Sequence, residues 1–394
     1  MARDHGAQWF PGNIRNFVLT CLRYAIEAGA TGLVMPTIQT RNEEKLADLF
    51  RAPKSEVTDL HLEVPFSYFF DEDHFRLSLR AACPQITVYD GVASIPGFNV
   101  QDSQMGRSTP EQITPNHFGL RGGCDARDLN RHADLFGERF RSSLRDKEME
   151  MAQGPVSAGT PKLVRMNWGV QWNYPVYKDG PEFAATYGGL LRIRGDILEL
   201  GKRTAAAMEM MASNPEPGAE TQVNTGRSTF IGFHLRTEDD ALSTWPSFEE
   251  QSTAYLARAS NLSSPPGYAY LATGNVTEAA KFATLALTQQ ALNVVTKHEL
   301  LSRFPSLQRQ LDPLSWDQQA LVDFIVLLQA EYFLGVSPSS FSMNVALKRH
   351  LKGEGLYTRP WKVGSHEGDA RSWLVGRYEN YWEDWLFMYD SLWP

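Results

Sequence analysis

The sequence predicts an α/β protein of two Rossmann-like units followed by a tail. Two patterns predict it: a helix with a buried strand near the amino terminus, and a second half in which short apolar runs alternate with helical patterns. Between the halves, the segment 214–226 has few apolar residues and two prolines, as linkers do. The predicted units are residues 1–213 and 227–365, and a tryptophan-rich helical tail covers 366–394.

Composition argues against several classes of protein. Of the 394 residues, 42% are hydrophobic and 21% are charged, which is typical of a folded globular chain. The formal charge of −8 argues against a nucleic-acid partner, which would favour a basic face. No apolar run reaches the roughly 18 residues of a membrane span, and Met1–Gly6 is too polar to begin a signal peptide. Three scattered cysteines do not form the closely spaced pairs of a zinc site.

The first element is a helix that follows the turn Trp9–Asn16. Its apolar residues recur at steps of three and four, so one face of the helix is apolar. Gly29 ends the helix, and Gly32–Pro36 is predicted to be a buried strand. The strand that should precede Gly12 is almost absent, so we expect the natural protein to extend further upstream.

The run Asp71-Glu72-Asp73-His74 allows two interpretations. It is an acidic pair of the kind that holds a divalent metal, and it equally fits a helix N-terminus, where acidic side chains interact favourably with the dipole. We favour the helix because apolar positions follow. Farther on, the polar stretch 99–127 predicts a long loop. The other elements expected in this half are strands at 85–89 and 163–168 and a helix at 190–211.

The second half alternates strand and helix, which is typical of a parallel sheet. Strands are predicted at 229–233, 268–272, 293–296 and 332–334, and helices at 277–292, at 320–329 and from residue 340 onward. Half of the chain's 10 tryptophans lie at or after residue 361. In a terminal segment, such rings usually pack a helix onto the body of the protein.

The stretch Glu331–Arg349 carries a clear functional signal. A short strand ends at Gly335, a turn follows, and a helix begins at Ser340. The first N–H groups of a helix have no intrahelical partner and lie at the positive end of its dipole, so they attract anions. Hydroxyl groups of Ser339, Ser340 and Ser342 add donors to the same place. The alternative is that these serines only cap the helix.

A second polar group follows the strand 229–233. His234 and Arg236, two residues apart at a strand end, share one face. Ligands bind beyond the carboxyl ends of parallel strands, and the planar fork of an arginine suits phosphate oxygens. With the serine-rich helix start, the pair predicts a clamp for a diphosphate. Three carboxylates follow, Glu238, Asp239 and Asp240. They are candidate proton acceptors, but we interpret them as solvated loop residues.

Four stretches of the chain are similar to those of a known family. They are Gly12-Asn13-Ile14-Arg15 with the strand after it, His234-Leu235-Arg236, the strand and turn Tyr270–Asn275, and Phe333–Ser342 with its Ser-Ser-Phe-Ser segment. In this order they resemble the GDP-fucose protein O-fucosyltransferase family, above all its divergent fungal members. The resemblance spans nearly the whole chain.

The resemblance implies a GT-B fold, in which two Rossmann-like domains face each other across a cleft. It implies an inverting transfer of fucose from GDP-fucose to a hydroxyl of a protein or glycan, without metal or cofactor, in the lumen of the endoplasmic reticulum or Golgi. Residues 1–213 would lie on the acceptor side and 227–365 would bind the nucleotide sugar. Catalytic roles fall to Arg236 and Asn13. The implied donor-binding residues are Gly12, Asn13, His234, Arg236, Glu331, Ser339, Ser340, Phe341 and Ser342.

Two departures from the family pattern keep an alternative open. Glu331 stands where the family often has an aspartate that contacts the base, and Phe10 and Pro11 stand where some members have a catalytic glutamate. The alternative is a non-catalytic relative that binds a nucleotide or glycan. An ordinary Rossmann oxidoreductase is disfavoured because no Gly-x-Gly-x-x-Gly lies between a strand and a helix.

Overall fold

The computed structural model describes residues 11–40, 63–96, 111–113, 136–150, 162–164, 166, 172, 174–213, 229–239, 241–263, 265–353, 371–380 and 383–394. The elements of the first half are α1 (Pro11–Glu27), β1 (Gly32–Val34), β2 (Ile38–Gln39), β3 (Glu63–Val64), α2 (Glu72–Ala82), β4 (Thr87–Tyr89), β5 (Glu111–Ile113), α3 (Phe136–Glu150), β6 (Lys162–Val164), α4 (Pro181–Tyr187) and α5 (Gly195–Ser213).

The described strands of the first half pair in twos. β1 runs parallel to β4, β5 runs parallel to β6, and β2 is antiparallel to β3. β5 lies inside the stretch 99–127 that was expected to be a loop, so that expectation is wrong for residues 111–113. The predicted end of α1 is confirmed: Gly29 has a φ of +68°, a left-handed conformation that costs glycine little and so suits a helix stop.

The second half continues with β7 (Ile231–His234), α6 (Phe248–Ser260), β8 (Tyr268–Ala272), α7 (Val276–Gln290), β9 (Asn293–Val295), α8 (Lys297–Leu301), α9 (Pro305–Leu311), α10 (Trp316–Leu327), β10 (Tyr332–Val336), α11 (Ser340–Gly353), β11 (Ser372–Val375) and α12 (Phe387–Ser391). Its strands form one parallel sheet in the order β11-β10-β7-β8-β9. The predicted α/β class with a parallel sheet is confirmed.

Helices cover both faces of this sheet, which explains why its strands are apolar on both sides. Alternate residues of a strand point to opposite faces. Phe233 and Leu334 belong to a hydrophobic cluster with residues of α6 and α7. Tyr270 and Phe333 belong to a second cluster with residues of α10 and of the first half.

The two halves share that second cluster, which joins the apolar face of α1 to α10 and to Trp393. Helix α5 packs closely against α10. At Gly201 a Cβ atom would lie 2.6 Å from Cδ1 of Ile325, so this approach requires glycine. The predicted linker 214–226 lies outside the described residues, and the division of the chain into units stays a prediction.

The sequence predicted a helical tail, and this prediction is wrong for part of the tail. Residues 372–375 form β11, which pairs with β10 because its apolar side chains complete the sheet. The expected packing of tryptophans is confirmed at Trp393, which is fully buried and donates from Nε1 to Oγ1 of Thr20 at 3.2 Å. Trp361 and Trp382 lie outside the described residues. No helix in the described part of the chain is both long and apolar enough to cross a bilayer.

Candidate functional site

The carboxyl ends of β7, β8 and β10 lie side by side at one edge of the sheet. β7 pairs in parallel with both β8 and β10, with Phe233 opposite Leu334 and His234 opposite Ala272. Ligands of open α/β sheets bind beyond this edge. The two stretches from which the sequence predicted a clamp, one after β7 and one after β10, therefore meet there.

His234 joins the two stretches directly. Its Nδ1 lies 2.6 Å from Oγ of Ser342, and its ring centroid lies 4.6 Å from that of Phe341. The hydroxyl of Tyr255 on α6 donates to the His234 carbonyl at 2.8 Å. Burial lowers the pKa of His234 to about 4, so the imidazole is neutral near pH 7. Its role in this structure is to hold Ser342 in place.

Ser342 bridges strand and helix through its hydroxyl. Oγ accepts from the Val336 N–H at 3.1 Å and lies within hydrogen-bond distance, 2.6 Å, of Nδ1 of His234. This approach depends on Gly335, where a Cβ atom would lie only 2.5 Å from Oγ of Ser342. The glycine at the end of β10 thus permits the contact between the two halves of the clamp.

The start of α11 has the features of an anion site. Ser339, Ser340 and Ser342 are buried, and no acidic residue lies in the first turn. The N–H of Ser342 faces Oγ of Ser339 at 3.5 Å, a weak capping contact. Oγ of Ser340 is buried and has no hydrogen-bond partner among the described residues. A buried hydroxyl without a partner costs about 1–3 kcal/mol, which a bound acceptor would recover.

Arg236 is buried, although arginine is a residue type that is usually exposed. Its side chain is 0% exposed and pairs with Glu238, Nη1 to Oε2, at 2.5 Å, which compensates for the cost of burying the charge. The guanidinium also lies 5.7 Å from the ring of Trp245. Gln251 fixes the backbone: its Oε1 accepts from the Arg236 N–H and its Nε2 donates to the Arg236 carbonyl, both at 2.9 Å.

Glu238 is also buried, so interpreting residues 238–240 as a solvated loop was wrong for this residue. Its Oε1 accepts from the Gly274 N–H at 2.6 Å, at the end of β8. Burial by itself would raise the pKa of Glu238, but Arg236 and the other partners hold that pKa at about 2. Glu238 is therefore ionised and fully engaged at neutral pH. Asp239 is exposed, and Asp240 lies outside the described residues.

Three other predicted residues lie on other elements. Gly12 and Asn13 belong to the first turn of α1, a helix that packs against α11, and Asn13 is buried. Glu331 lies at the amino end of β10, so the length of the strand, roughly 16 Å, separates it from the clamp. There it faces Arg371 at 3.7 Å. The structure does not bring Glu331 together with the other predicted donor-binding residues.

The acidic run at the start of α2 caps a helix, as we favoured. Oδ1 of Asp71 accepts from the His74 N–H at 2.9 Å, and its carboxylate pairs with Arg192. Across the described residues, no group of three or more histidine, cysteine, aspartate or glutamate side chains is arranged to hold a metal ion.

Sequence reasoning missed Gln251, Tyr255 and Trp245, all of which contact the clamp residues. Gln251 follows a capping box formed by Ser247 and Glu250, a pattern that marks a helix start and says nothing of the helix's partners. Glu238 did carry a usable signal, because an acidic residue two positions after an arginine is near enough along the chain to pair with it, as it does here.

A family model and several solved structures match most of the chain. A family model for GDP-fucose protein O-fucosyltransferases matches residues 11–352. No curated protein matches the sequence. Among solved structures, POFUT1 in complex with GDP is 13% identical, with a TM-score of 0.45 and coverage of 88% of this chain and 94% of that one. A mutant of Arabidopsis thaliana FUT1 in complex with GDP is 10% identical, with a TM-score of 0.41 and coverage of 94% and 68%.

Proposed function

The chain belongs to the GDP-fucose protein O-fucosyltransferase family of glycosyltransferases, and from this premise we propose that it transfers fucose from GDP-fucose to a hydroxyl of a protein or glycan acceptor. The observation that carries the proposal is the contact of His234 with Ser342, which joins the segment after β7 to the N-terminus of α11. The proposal includes a GT-B arrangement, inversion at the sugar, independence of metal, and work in the secretory lumen.

The clamp suits the leaving group of this reaction. As the glycosidic bond breaks, negative charge grows on the β-phosphate of GDP, and donors fixed around that phosphate stabilise the transition state more than the ground state. Arg236 supplies a charged donor, and the first turn of α11 supplies N–H groups at its positive end. Oγ of Ser340, which is buried and has no partner in the described part of the chain, is a further donor.

The remaining residues have supporting roles in this proposal. His234 is neutral and holds Ser342 and the start of α11. Asn13 faces the sugar from α1. Glu238 is not the base that deprotonates the acceptor, because both of its oxygens accept hydrogen bonds and its pKa is about 2. We assign no base.

The test is an assay of GDP release and fucose transfer by the purified protein, with GDP-fucose and a panel of protein and glycan acceptors. We expect release above that of a heat-inactivated control and dependent on acceptor, with GDP binding by calorimetry. GDP binding without turnover on any acceptor would favour the non-catalytic alternative, which the lack of an assigned base supports. Absence of both would contradict the diphosphate clamp.

A further inference from the structure

Two opposite charges are buried together at the carboxyl edge of the sheet. The side chains of Arg236 and Glu238 are 0% and 5% exposed, and they meet at 2.5 Å. Removing a charge from water is costly unless an opposite charge and hydrogen bonds compensate for it. Each member of this pair therefore depends on the other for its place in the structure.

Glu238 is anchored independently of the arginine. Its second oxygen accepts from the Gly274 N–H at 2.6 Å and lies 3.4 Å from Oγ1 of Thr273, both just beyond β8. Gly274 suits this role, because a Cβ atom there would lie 2.9 Å from the ring of Trp316 and 3.1 Å from Oε1 of Glu238. The carboxylate thus fixes the guanidinium relative to the neighbouring strand.

We propose that Glu238 is a positioning residue, which holds the Arg236 guanidinium in one orientation and offsets its charge while the site is empty. Gln251 fixes the backbone of Arg236, and Glu238 fixes its side chain, so the donor is in place before a ligand arrives. The same negative charge weakens the attraction of the site for an anion. Glu238 should therefore raise turnover while making the GDP product easier to release. This inference rests on the proposed function.

The variant Glu238→Gln tests the proposal, because glutamine keeps the shape and an acceptor for Gly274 but loses the charge. We expect its kcat to fall about 10- to 100-fold, with GDP bound at least as tightly as by the parent. The control is Glu199→Gln, which makes the same substitution at an exposed carboxylate on α5. It should leave kcat and the GDP affinity unchanged. Parent-like kcat in Glu238→Gln, or GDP affinity lost together with kcat, would overturn the proposal.

A melting-temperature cycle over Arg236→Met, Glu238→Gln and the double variant gives a readout that needs no turnover. The double variant should lose less than the sum of the two single losses, because each single variant strands a buried partner. Additive losses would overturn the proposal.

If Glu238→Gln does not fold, the variant Glu238→Asp replaces it, because aspartate keeps the charge on a shorter side chain. Glu238→Asp should show the fall in kcat, and a parent-like kcat would overturn the proposal. If the parent shows no turnover, the proposed function fails. The GDP affinity of Glu238→Gln and the melting-temperature cycle then still decide the role of Glu238.

Discussion

Replacing Ser342 by alanine removes the hydroxyl that joins β10, α11 and the segment after β7. Two buried groups lose their partner: the Val336 N–H, at 3.1 Å, and Nδ1 of His234, at 2.6 Å. Leaving a buried donor or acceptor unpaired costs about 1–3 kcal/mol each. Ser342→Ala should therefore lower the free energy of unfolding by about 2–6 kcal/mol, a large share of the roughly 5–15 kcal/mol typical of a folded domain.

The assay for Ser342→Ala is urea unfolding together with hydrogen exchange at the Val336 amide, which should exchange faster in the variant. The control is Ser260→Ala, which removes an exposed hydroxyl that donates to the Ala257 carbonyl at 2.9 Å. It should change the free energy of unfolding by less than about 0.5 kcal/mol. If Ser342→Ala were as stable as this control and the Val336 amide kept its protection, the bridging role of Ser342 would be refuted.

Gly335→Ala should destabilise the protein by about 1–3 kcal/mol in urea unfolding, because its Cβ would overlap Ser342. The control is Gly189→Ala, whose Cβ would meet nothing within 4 Å. Equal effects of the two variants would contradict the argument. The pKa of Glu238 is depressed to about 2, so the stability that its charge contributes is present above its ordinary pKa of 4.5 and is lost as the pH falls toward 2. Glu238→Gln should therefore reduce the slope of melting temperature against pH in that window. An unchanged slope would count against the pairing of Glu238 with Arg236. GDP-fucose turnover should persist in EDTA, and a loss that manganese restores would show that the proposed metal independence is wrong.

Local patterns in the sequence predicted the parallel sheet and the two stretches of the clamp. Tyr268–Ala272 was predicted with its observed bounds, and the helix was expected to start at Ser340, as it does. Apolar runs, glycines that end elements and the periodicity of helices are properties of neighbouring residues, so they can be recognised from the sequence alone. The meeting of these stretches followed from the rule for carboxyl ends of parallel strands.

Other features depend on partners far apart in the chain. The strand Ser372–Val375 is short, and only its pairing with β10 distinguishes it from the rest of the tail. Its residue type alone suggested that Arg236 is exposed. Its burial depends on the pair it forms with Glu238 and on packing against Trp245, which no local pattern in the sequence indicates. Gln251 contacts the clamp because α6 packs beside β7, which no spacing in the sequence indicates.

The central claim is that Arg236 and the start of α11 hold the diphosphate of GDP-fucose. Arg236→Ala is a poor test because it would strand the buried Glu238 charge, whereas Arg236→Lys keeps a cation for that partner but loses the planar fork. The measurement is GDP release from GDP-fucose with acceptor, for Arg236→Lys beside Arg258→Lys, a matched change on α6 against Trp373. The account predicts a fall of roughly 10²-fold for Arg236→Lys, with a parent-like melting temperature, and parent-like turnover for Arg258→Lys. A folded Arg236→Lys protein that releases GDP at the parent's rate would contradict it.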